Sequence, residues 1–373
     1  MKCPRIEVDL HKIRRNTRTI AERLKRRGIN VTGVTKAVCG HPAIAQAMLD
    51  GGTEGLAEAR LSNVKRLRKA GMTCPITLIR TPMLSQADDV VQVCDASYNT
   101  QIPVIAALAA AALRQNKIHG IILMVEMGDQ REGILPHNLG DVALQVVEMR
   151  GVALKGIGAN FACLSGIAPR ATNMQALTAI ANDVEGQCGP FLETVSGGNS
   201  ANLTWAFGAR ATGRINDLRI GEAILLGRNP ITGDHIGGLF RDTFTLVAEV
   251  IEVGTKTVCP LFGTTDHAPA IIRLVPTAVG TIRIILALGN QDVDVAGLSM
   301  PAGSTLVGAT SDHLVIVTTD QKLRVGSEMR FQMNYSALMR AMAAPDIQTE
   351  LHEDRPGSQA KEANRSKKHL TLV

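Results

Sequence analysis

One lysine stands at the end of an apolar run, where a charged side chain is unusual. Lys36 lies within the segment GVTKAV. A lysine is rarely buried in full unless it is paired or used, and loss of water lowers the pKa of an amine toward the range in which it acts as a nucleophile. Lys36 is therefore a candidate nucleophile. The alternative is an ordinary lysine at a strand end whose ammonium reaches solvent.

A glycine-rich turn further along the chain has the composition of a phosphate-binding loop. The segment SGGNS spans residues 196–200 and precedes a helix-like stretch. Such a turn exposes backbone N–H groups and the positive end of a helix dipole, both of which suit a phosphate. Taken alone, the segment is equally typical of an ordinary glycine-rich turn.

The elements that would position these residues alternate regularly. From about residue 30 to 225, short β-rich apolar runs are followed by helix-like stretches, which is typical of βα units around a parallel sheet. The eight predicted strands are 31–38, 54–57, 76–80, 96–99, 121–126, 154–161, 193–196 and 218–224. Predicted helices between them include 42–50, 61–70, 102–115, 141–149, 173–183 and 201–207. Eight repeats of strand and helix predict an α/β fold of the TIM type, a (β/α)8 barrel.

An open doubly wound sheet is the competing architecture. It would show a G-x-G-x-x-G turn after its first strand, and the sequence has no such turn there. In a barrel, the active site lies at the carboxyl ends of the strands, and phosphate sites commonly use the loops after strands 7 and 8. The polar residues predicted at those ends are Lys36, Glu126, Arg131, Asn160, the SGGNS turn and the segment RIGEA (219–223).

A second domain is predicted after the barrel. The stretch GRNPITGDHIGGLFRD breaks the alternation and marks a boundary, and the residues from 244 to about 331 are rich in Val, Ile and Thr with glycine turns. We therefore predict a barrel over 10–230 and a C-terminal β domain over 240–345, which residues 1–9 can join. Residues 346–373 are polar and without periodicity, which predicts a disordered tail.

The bulk composition limits the classes of function. Hydrophobic residues make up 45% of the 373, and no uncharged apolar run approaches the ~18 residues needed to span a bilayer. The N-terminal segment MKCPRIEVDLHKIRRN lacks the apolar stretch of a secretory signal, which predicts a cytoplasmic protein without a membrane partner. The seven cysteines are scattered and never spaced C-x-x-C, which indicates reduced thiols and no zinc site. The formal charge of +6 is accompanied by only 3% aromatic residues, so no nucleic-acid partner is predicted.

Eight motifs in order make the chain resemble a known family. They are TKAVCGHP (35–42), MGDQREGI (127–134), GIGANFAC (156–163), SGGNSAN (196–202), INDLRIGEA (215–223), ALGNQDVD (287–294), GATSDH (308–313) and NYSALM (334–339). Together they resemble the alanine racemase family of fold type III pyridoxal phosphate enzymes, and most closely its ornithine racemase-like branch. The resemblance extends to about residue 345.

The resemblance implies a role for each matching residue. Lys36 would hold pyridoxal 5'-phosphate as a Schiff base and serve as one of two acid/base groups at the substrate Cα. Arg219 would face the pyridine nitrogen and, being always charged, keep that nitrogen unprotonated. Arg131 would lie near the substrate carboxylate, a planar anion that suits bidentate donation. The implied cofactor-binding positions are Lys36, Asn160, Ser196, Gly197, Gly198, Asn199, Ser200, Arg219, Gly221, Glu222 and Tyr335.

Two positions depart from the alanine racemase pattern. Asn160 stands where those enzymes have a histidine beside the cofactor, and Asn290 stands where they have the tyrosine that acts as the second base. Asparagine cannot take a proton at neutral pH, so another group must serve. The candidates are Asp292, Asp312 and His313. We predict His313, because the ordinary pKa of histidine suits proton transfer near pH 7, with Asp312 orienting it or holding the substrate; the alternative is a turn capped by Asp312.

The predicted substrate and assembly follow from the same resemblance. In the family the β domain reaches the barrel of a second subunit, so the chain is predicted to be a homodimer with shared active sites. Acidic side chains at this mouth, including Asp292 with Asp312 and Glu222, favour a basic amino acid such as ornithine or lysine. The predicted function is therefore an amino-acid racemase of basic or broad specificity.

Two other functions compete with racemisation. A lyase of the D-threonine aldolase kind shares the barrel and the lysine but needs a metal near the cofactor, and no metal site is predicted. A non-catalytic pyridoxal phosphate carrier resembles the barrel alone, which the added β domain argues against.

Overall fold

The computed structural model describes residues 3–166, 168–189, 191–254 and 280–353. They divide into two compact units. One comprises the described residues of Ile13–Arg241, and the other those of Met1–Lys12 and Asp242–Val373. Among the described residues, no helix has the length and apolar character needed to cross a membrane.

The first unit contains a closed barrel of eight parallel strands, in which each strand pairs with the next along the chain and the last pairs with the first. The strands are β2 (Asn30–Val34), β3 (Gly55–Glu58), β4 (Ile76–Leu78), β5 (Ala96–Asn99), β6 (His119–Val125), β7 (Val152–Ala159), β8 (Thr194–Ser196) and β9 (Asp217–Ile220). The helices of this region are α1 (Leu10–Lys25), α2 (Pro42–Asp50), α3 (Leu61–Lys69), α4 (Ala87–Val93), α5 (Ile102–Arg114), α6 (Leu139–Glu148), α7 (Ala171–Cys188), α8 (Leu203–Ala206) and α9 (Glu222–Leu226). The predicted (β/α)8 barrel is confirmed.

Local sequence accounts for these elements. β6 reads HGIILMV and is buried at every position, as expected for a parallel strand covered on both faces. α2 begins at Pro42, whose missing N–H is not needed in the first turn of a helix. α5 is alanine-rich and buries one face against the barrel.

Two predicted strands end four residues earlier in the structure than predicted. The strand predicted at 31–38 ends at Val34, and a 3₁₀ turn covers Lys36–Val38. The strand predicted at 218–224 ends at Ile220, and α9 follows Gly221. In both places the apolar run continues beyond the strand into a buried turn or helix, so hydrophobicity alone could not locate the end.

The second unit is built on an eight-stranded sheet. Its elements are β1 (Arg5–Asp9), β10 (Phe244–Gly254), β11 (Ile282–Leu286), β12 (Leu298–Ser299), β13 (Ser304–Ala309), β14 (Leu314–Thr318), β15 (Glu328–Met333), β16 (Gln348–His352) and α10 (Tyr335–Ala343). The strand order is β12-β15-β10-β11-β14-β13, and β1 pairs with β10 and β16. A β-rich C-terminal unit is therefore present.

The prediction of disorder from residue 346 is wrong for the residues that form β16. This strand pairs in parallel with β1, with Arg5 opposite Gln348 and Asp9 opposite His352. An ion pair of 3.1 Å joins Arg5 Nε to Glu350. Because backbone pairing and one ion pair hold the strand, no apolar periodicity marks it in the sequence. The remainder of the predicted tail, from residue 354, lies outside the described residues.

Candidate active site

Lys36 lies directly after β2, at the carboxyl end of the barrel, on a turn that neighbouring residues hold in place. The turn continues through two left-handed residues, Cys39 (φ 52°) and Gly40 (φ 59°). A Cβ on Gly40 would lie 2.9 Å from the Cβ of Asn63, so only glycine fits there. Lys36 is thus carried by a tightly packed turn and not by the end of a strand.

A buried carboxylate supports that corner. Glu58, at the end of β3, is fully buried and accepts a bond from the Thr35 hydroxyl at 3.0 Å and from the Asn63 amide at 3.1 Å. The same side chain also accepts the backbone N–H groups of Ala59 and Arg60, at 2.8 and 3.3 Å. Burial raises the pKa of Glu58, and these donors act against that rise.

The Lys36 amine itself has no hydrogen bond or ion pair within the part of the chain that the structure describes. Its charge acts on Glu222, at the start of α9. Burial raises the pKa of Glu222 to about 7, and the charges of Lys36 and Arg228 oppose that rise. An unpaired amine at a barrel mouth is available for a covalent bond or a proton transfer.

Two glycine-containing loops, after β8 and β9, are joined to each other. The backbone N–H of Ala223 donates to Ser200 Oγ at 3.2 Å. A Cβ on Gly197 would lie 2.7 Å from the Ile215 side chain, and one on Gly221 would lie 3.0 Å from Val34. A side chain at Gly197 or Gly221 would require Ile215 or Val34 to move, which favours glycine at both positions.

The donors that these loops offer suit a phosphate. Among the described residues, the backbone N–H groups of Gly198, Ser200 and Glu222 form no hydrogen bond. Gly198 adopts φ 113°, which turns the chain before the 3₁₀ segment Ser200–Asn202. Backbone N–H groups at the start of a helical turn are well placed to bind an anion.

A network of amides links the loops after β6, β7 and β8. Asn199 Nδ2 donates to Asn160 Oδ1 at 3.1 Å, and Asn160 Nδ2 donates to Asp129 Oδ2 at 3.3 Å. Asp129 is 4% exposed and also accepts the backbone N–H groups of Cys163 and Leu164, at 2.9 and 3.1 Å. Asn160 and Asn199 thus hold neighbouring loops in fixed positions.

Arg131 lies at the edge of this network. Its Nε is 2.8 Å from Glu132 and 3.6 Å from Asp129, and its side chain is 39% exposed. Glu126, at the end of β6, accepts the backbone N–H groups of Gly128 and Gln130, at 2.6 and 3.1 Å, and so shapes the loop that carries Arg131.

Arg219 is enclosed inside the barrel, with a side chain that is 5% exposed. Its Nη1 donates to Tyr98 at 2.9 Å and to Ser196 at 2.6 Å, and its Nη2 donates to the Ala159 carbonyl at 2.7 Å. The guanidinium also lies over the Tyr98 ring, with its carbon 4.6 Å from the ring centre. Burial raises the pKa of Tyr98, so its hydroxyl stays protonated.

The remaining predicted site residues belong to the β unit, and two of its loops bring most of them together. Asn290 donates its backbone N–H to the Thr310 carbonyl at 2.9 Å, and Asp292 accepts the Gly289 N–H at 2.9 Å. Asp312 Oδ1 is 3.4 Å from His313 Nδ1. The Ser311 hydroxyl, bonded at 2.7 Å, holds the pKa of Asp312 below its ordinary value.

Tyr335 is placed elsewhere in that unit. It is half-buried at the start of α10, where the Asn334 side chain caps the helix by accepting the Ala337 N–H at 2.9 Å. The structure therefore brings the barrel residues together at one end of the barrel, and the candidates for the second base together on one pair of β-unit loops.

The comparisons with known proteins agree with this architecture. Residues 8–229 match the family model described as "Alanine racemase, N-terminal domain". The chain is 36% identical over 358 residues to a lysine racemase of Thermotoga maritima, which covers 93% of this chain and 98% of the relative. The chain belongs to the alanine racemase family. It is also 31% identical over 361 residues to an ornithine racemase of Acetoanaerobium sticklandii, with 93% and 99% covered.

Solved structures of this family share the fold. An alanine racemase of Clostridium difficile 630 superposes with a TM-score of 0.74 at 18% identity, covering 95% of this chain and 97% of the other. At that identity the likeness shows the fold alone. The predicted membership of the alanine racemase family is confirmed.

Three supporting residues of this racemase-family barrel were missed by the sequence analysis, namely Glu58, Tyr98 and Asp217. Asp217 and Arg219 are charged residues two positions apart in the otherwise apolar strand β9. That is the same signal that identified Lys36, and it could have identified Asp217. Nothing in the local sequence distinguishes Tyr98, because its importance depends on a contact with Arg219, 121 residues away.

Among the described residues of the β unit, three side chains form a group of possible metal ligands. Glu7, Glu350 and His352 bring ligand atoms within 4.8 Å of one another. Both carboxylates are already engaged, because Arg5 lies 2.7 Å from Glu7 and 3.1 Å from Glu350. A metal would have to displace that arginine. The predicted lack of a metal site stays a prediction.

Proposed function

We propose that this chain is a pyridoxal phosphate-dependent racemase that interconverts the L and D forms of basic amino acids. Two relatives that match 93% of the chain are a lysine racemase and an ornithine racemase, which supports both the reaction and the substrate class. The observation that carries the proposal is the unpaired Lys36 amine, at the same barrel end as two joined glycine loops.

The residues present fit the cofactor. Lys36 offers an amine without a partner among the described residues for the aldehyde, and the backbone N–H groups of Gly198, Ser200 and Glu222 are available for the phosphate. The absence of side chains at Gly197 and Gly221 lets both loops pack closely against Ile215 and Val34. Pyridoxal phosphate, when bound, supplies an electron sink for the electron pair left at Cα after its proton is removed.

The barrel residues have three tasks in this proposal. Lys36 takes or returns the Cα proton on one face of the substrate. Arg131 binds the substrate carboxylate, since a guanidinium fork matches a planar anion. Arg219 would donate to the ring nitrogen, and a guanidinium donor there would keep that nitrogen unprotonated.

His313 is proposed as the acid/base group for the opposite face. The amide of Asn290 cannot exchange a proton at neutral pH, whereas imidazole is the side chain best suited to that role, and His313 lies on the loop next to it. Its Nδ1 lies 3.4 Å from Asp312, whose lowered pKa keeps it anionic and able to orient the ring. We propose that the β unit of a second subunit supplies His313, together with Tyr335 for the phosphate.

Substrate choice is attributed to charge. Asp312 precedes His313 on one loop, Asp292 lies on the neighbouring loop that bonds to it, and Glu222 lies at the barrel mouth near Lys36. Carboxylates there attract an amino acid with a cationic side chain.

The homodimer and the cytoplasmic location stay predictions.

One experiment tests the proposal. The purified protein, supplied with pyridoxal phosphate, is incubated separately with L-lysine, L-ornithine and L-alanine, and the products are resolved by chiral chromatography. We expect the D form of the two basic substrates with kcat/KM at least about tenfold above alanine, the effect of one favourable charge contact. Glycine with an aldehyde would indicate a lyase, and a coloured but inert protein would indicate a carrier; either result contradicts the proposal.

A further inference from the structure

The guanidinium of Arg219 is buried without a carboxylate in direct contact among the described residues. It makes three hydrogen bonds, to Tyr98, Ser196 and the Ala159 carbonyl, and all three acceptors are uncharged. A buried cation without a nearby negative charge is strongly disfavoured. We infer that the negative charge that compensates Arg219 acts on it through one of these uncharged acceptors.

That charge is Asp217. Ser196 Oγ accepts from Arg219 Nη1, and since a guanidinium can only donate, the hydroxyl proton of Ser196 is left for Asp217 Oδ2, to which it is closely bonded. The other oxygen of Asp217 accepts the Thr32 hydroxyl at 2.7 Å. Each donor in this series is therefore fixed: Arg219 donates to Ser196, and Ser196 donates to Asp217.

Strand geometry builds this arrangement. Asp217 and Arg219 are two residues apart on β9, so both side chains point to the same face, the barrel interior. Ser196, at the end of β8, is the register partner of Asp217. Thr32 is paired with Arg219 across β2 and β9. All four side chains therefore meet on adjacent strands.

Asp217 acts on Arg219 from behind the proposed ligand site. Asp217 and Arg219 both line a polar cavity of about 140 Å³. Its other lining residues include Asn30, Glu54, Glu193 and Asn216, which begin or precede strands. The cavity is therefore at the amino end of the barrel, whereas Lys36 follows β2 at the carboxyl end.

The bonds described use three of the five N–H donors of Arg219 and leave two for a ligand. We propose that Asp217, acting through Ser196, is a positioning residue that fixes the guanidinium of Arg219 so that a remaining N–H is directed at the cofactor ring nitrogen. This inference rests on the proposed function, and it assigns Asp217 no contact with cofactor or substrate.

The test compares two ligands that differ at one atom. Dissociation constants are measured for pyridoxal phosphate and for its carbocyclic analogue, in which C–H replaces the ring nitrogen. Both bind Lys36 through the same aldehyde, so their ratio isolates the ring position. The wild type should prefer pyridoxal phosphate, since the analogue leaves an Arg219 N–H unpaired. Asp217→Asn and Ser196→Ala should each reduce that preference by about tenfold, the effect of one well-directed hydrogen bond.

Two control variants separate positioning from general damage. Glu193→Gln removes an acid from the same cavity without touching the Arg219 bonds, and Thr32→Ser keeps the hydroxyl that bonds Asp217. Both should retain the wild-type preference. A purely structural role for Asp217 would lower the melting temperature and leave the ratio of the two constants unchanged.

The outcomes are distinct. A wild type without preference would contradict the placement of Arg219 at the ring nitrogen and so overturn this inference with it. A wild type with a preference that Asp217→Asn and Ser196→Ala both retain would overturn the positioning role and leave the proposed function intact. If Asp217→Asn does not fold, Ser196→Ala decides the question, because it removes the intermediate hydroxyl and keeps the carboxylate.

Discussion

Two cationic side chains of the barrel, Lys36 after β2 and Arg219 in β9, are held in different ways. Lys36 has a rigid backbone, fixed by Glu58 and Gly40, and an amine without a partner in the described chain. Arg219 has a side chain held by three bonds and an aromatic ring. The difference fits the proposed roles, because an amine that reacts needs to be free on a fixed backbone, whereas a guanidinium that directs charge needs a fixed side chain.

The largest effect is expected at the free cation. Lys36→Ala should reduce racemase activity by at least about 10³-fold, because it removes both the amine proposed to bind the aldehyde and a proposed proton-transfer group. It should change the free energy of unfolding of the cofactor-free protein by less than about 0.5 kcal/mol, since no partner is lost. Activity is followed by chiral chromatography and stability by urea denaturation.

Lys69→Ala, on an exposed residue at the end of α3, is the matched control and should keep full activity. A Lys36→Ala protein that unfolds much more easily would show that the amine has a structural partner and would break the contrast.

For Arg219, in contrast to Lys36, a large effect on the stability of the cofactor-free protein is expected. Arg219→Ala should lower the free energy of unfolding by about 3–5 kcal/mol, because it leaves Asp217 buried without its counter-charge. Denaturation of the cofactor-free protein measures this directly. Arg114→Ala removes one half of an exposed ion pair with Asp88 and should cost less than about 1 kcal/mol. Equal costs for the two arginine variants would contradict the account.

Glu222, which shares the mouth with Lys36, predicts a dependence of stability on pH. Its pKa is raised from 4.5 to about 7, so the folded protein holds the proton more tightly than the unfolded chain does. Stability should therefore fall as pH rises from about 5 to about 8, by on the order of 3 kcal/mol in the free energy of unfolding.

The comparison is between the wild type and Glu222→Gln, which has no proton to lose. The difference in their free energies of unfolding should shrink toward low pH and grow through pH 7 in favour of the variant. A difference that is constant from pH 5 to 8 would show that Glu222 is ionised throughout.

The smallest effect on stability is expected for Glu58, which supports the turn that carries Lys36. Glu58→Gln replaces an acceptor of four hydrogen bonds by an amide whose NH2 group faces donors, which should cost about 1–3 kcal/mol of stability. Because the turn then loosens, kcat should fall with KM little changed. Glu148→Gln, exposed at the end of α6, is the control. Wild-type kcat in a stably folded Glu58→Gln would contradict the idea of a rigid base.

Much of the fold could be read from the sequence, and the reasons differ by element. The helix predicted at 42–50 agrees with α2 because Pro42 and Gly51 mark both of its ends. The strand predicted at 96–99 agrees with β5. β16 was missed, because it exists through pairing with β1, more than 340 residues away, and its own letters have no apolar alternation.

The residues of the candidate site could be proposed from the sequence where a residue type is unusual for its place. Lys36 and the SGGNS turn stand out locally, and Arg219 follows from its charge in a buried strand. The part played by Asp217 could not be predicted, because it depends on the register that sets Ser196 opposite it. Glu58 likewise acts through Thr35 and Asn63, and only their proximity in space shows this.

The most direct test of the central claim is to locate the cofactor on the chain. The protein saturated with pyridoxal phosphate is treated with borohydride, which converts the linkage to a stable secondary amine, and is then digested and analysed by mass spectrometry. The account predicts the added mass on the peptide that contains Lys36, and none on that peptide in Lys36→Ala. Added mass confined to another lysine, or absent from every peptide, would contradict it.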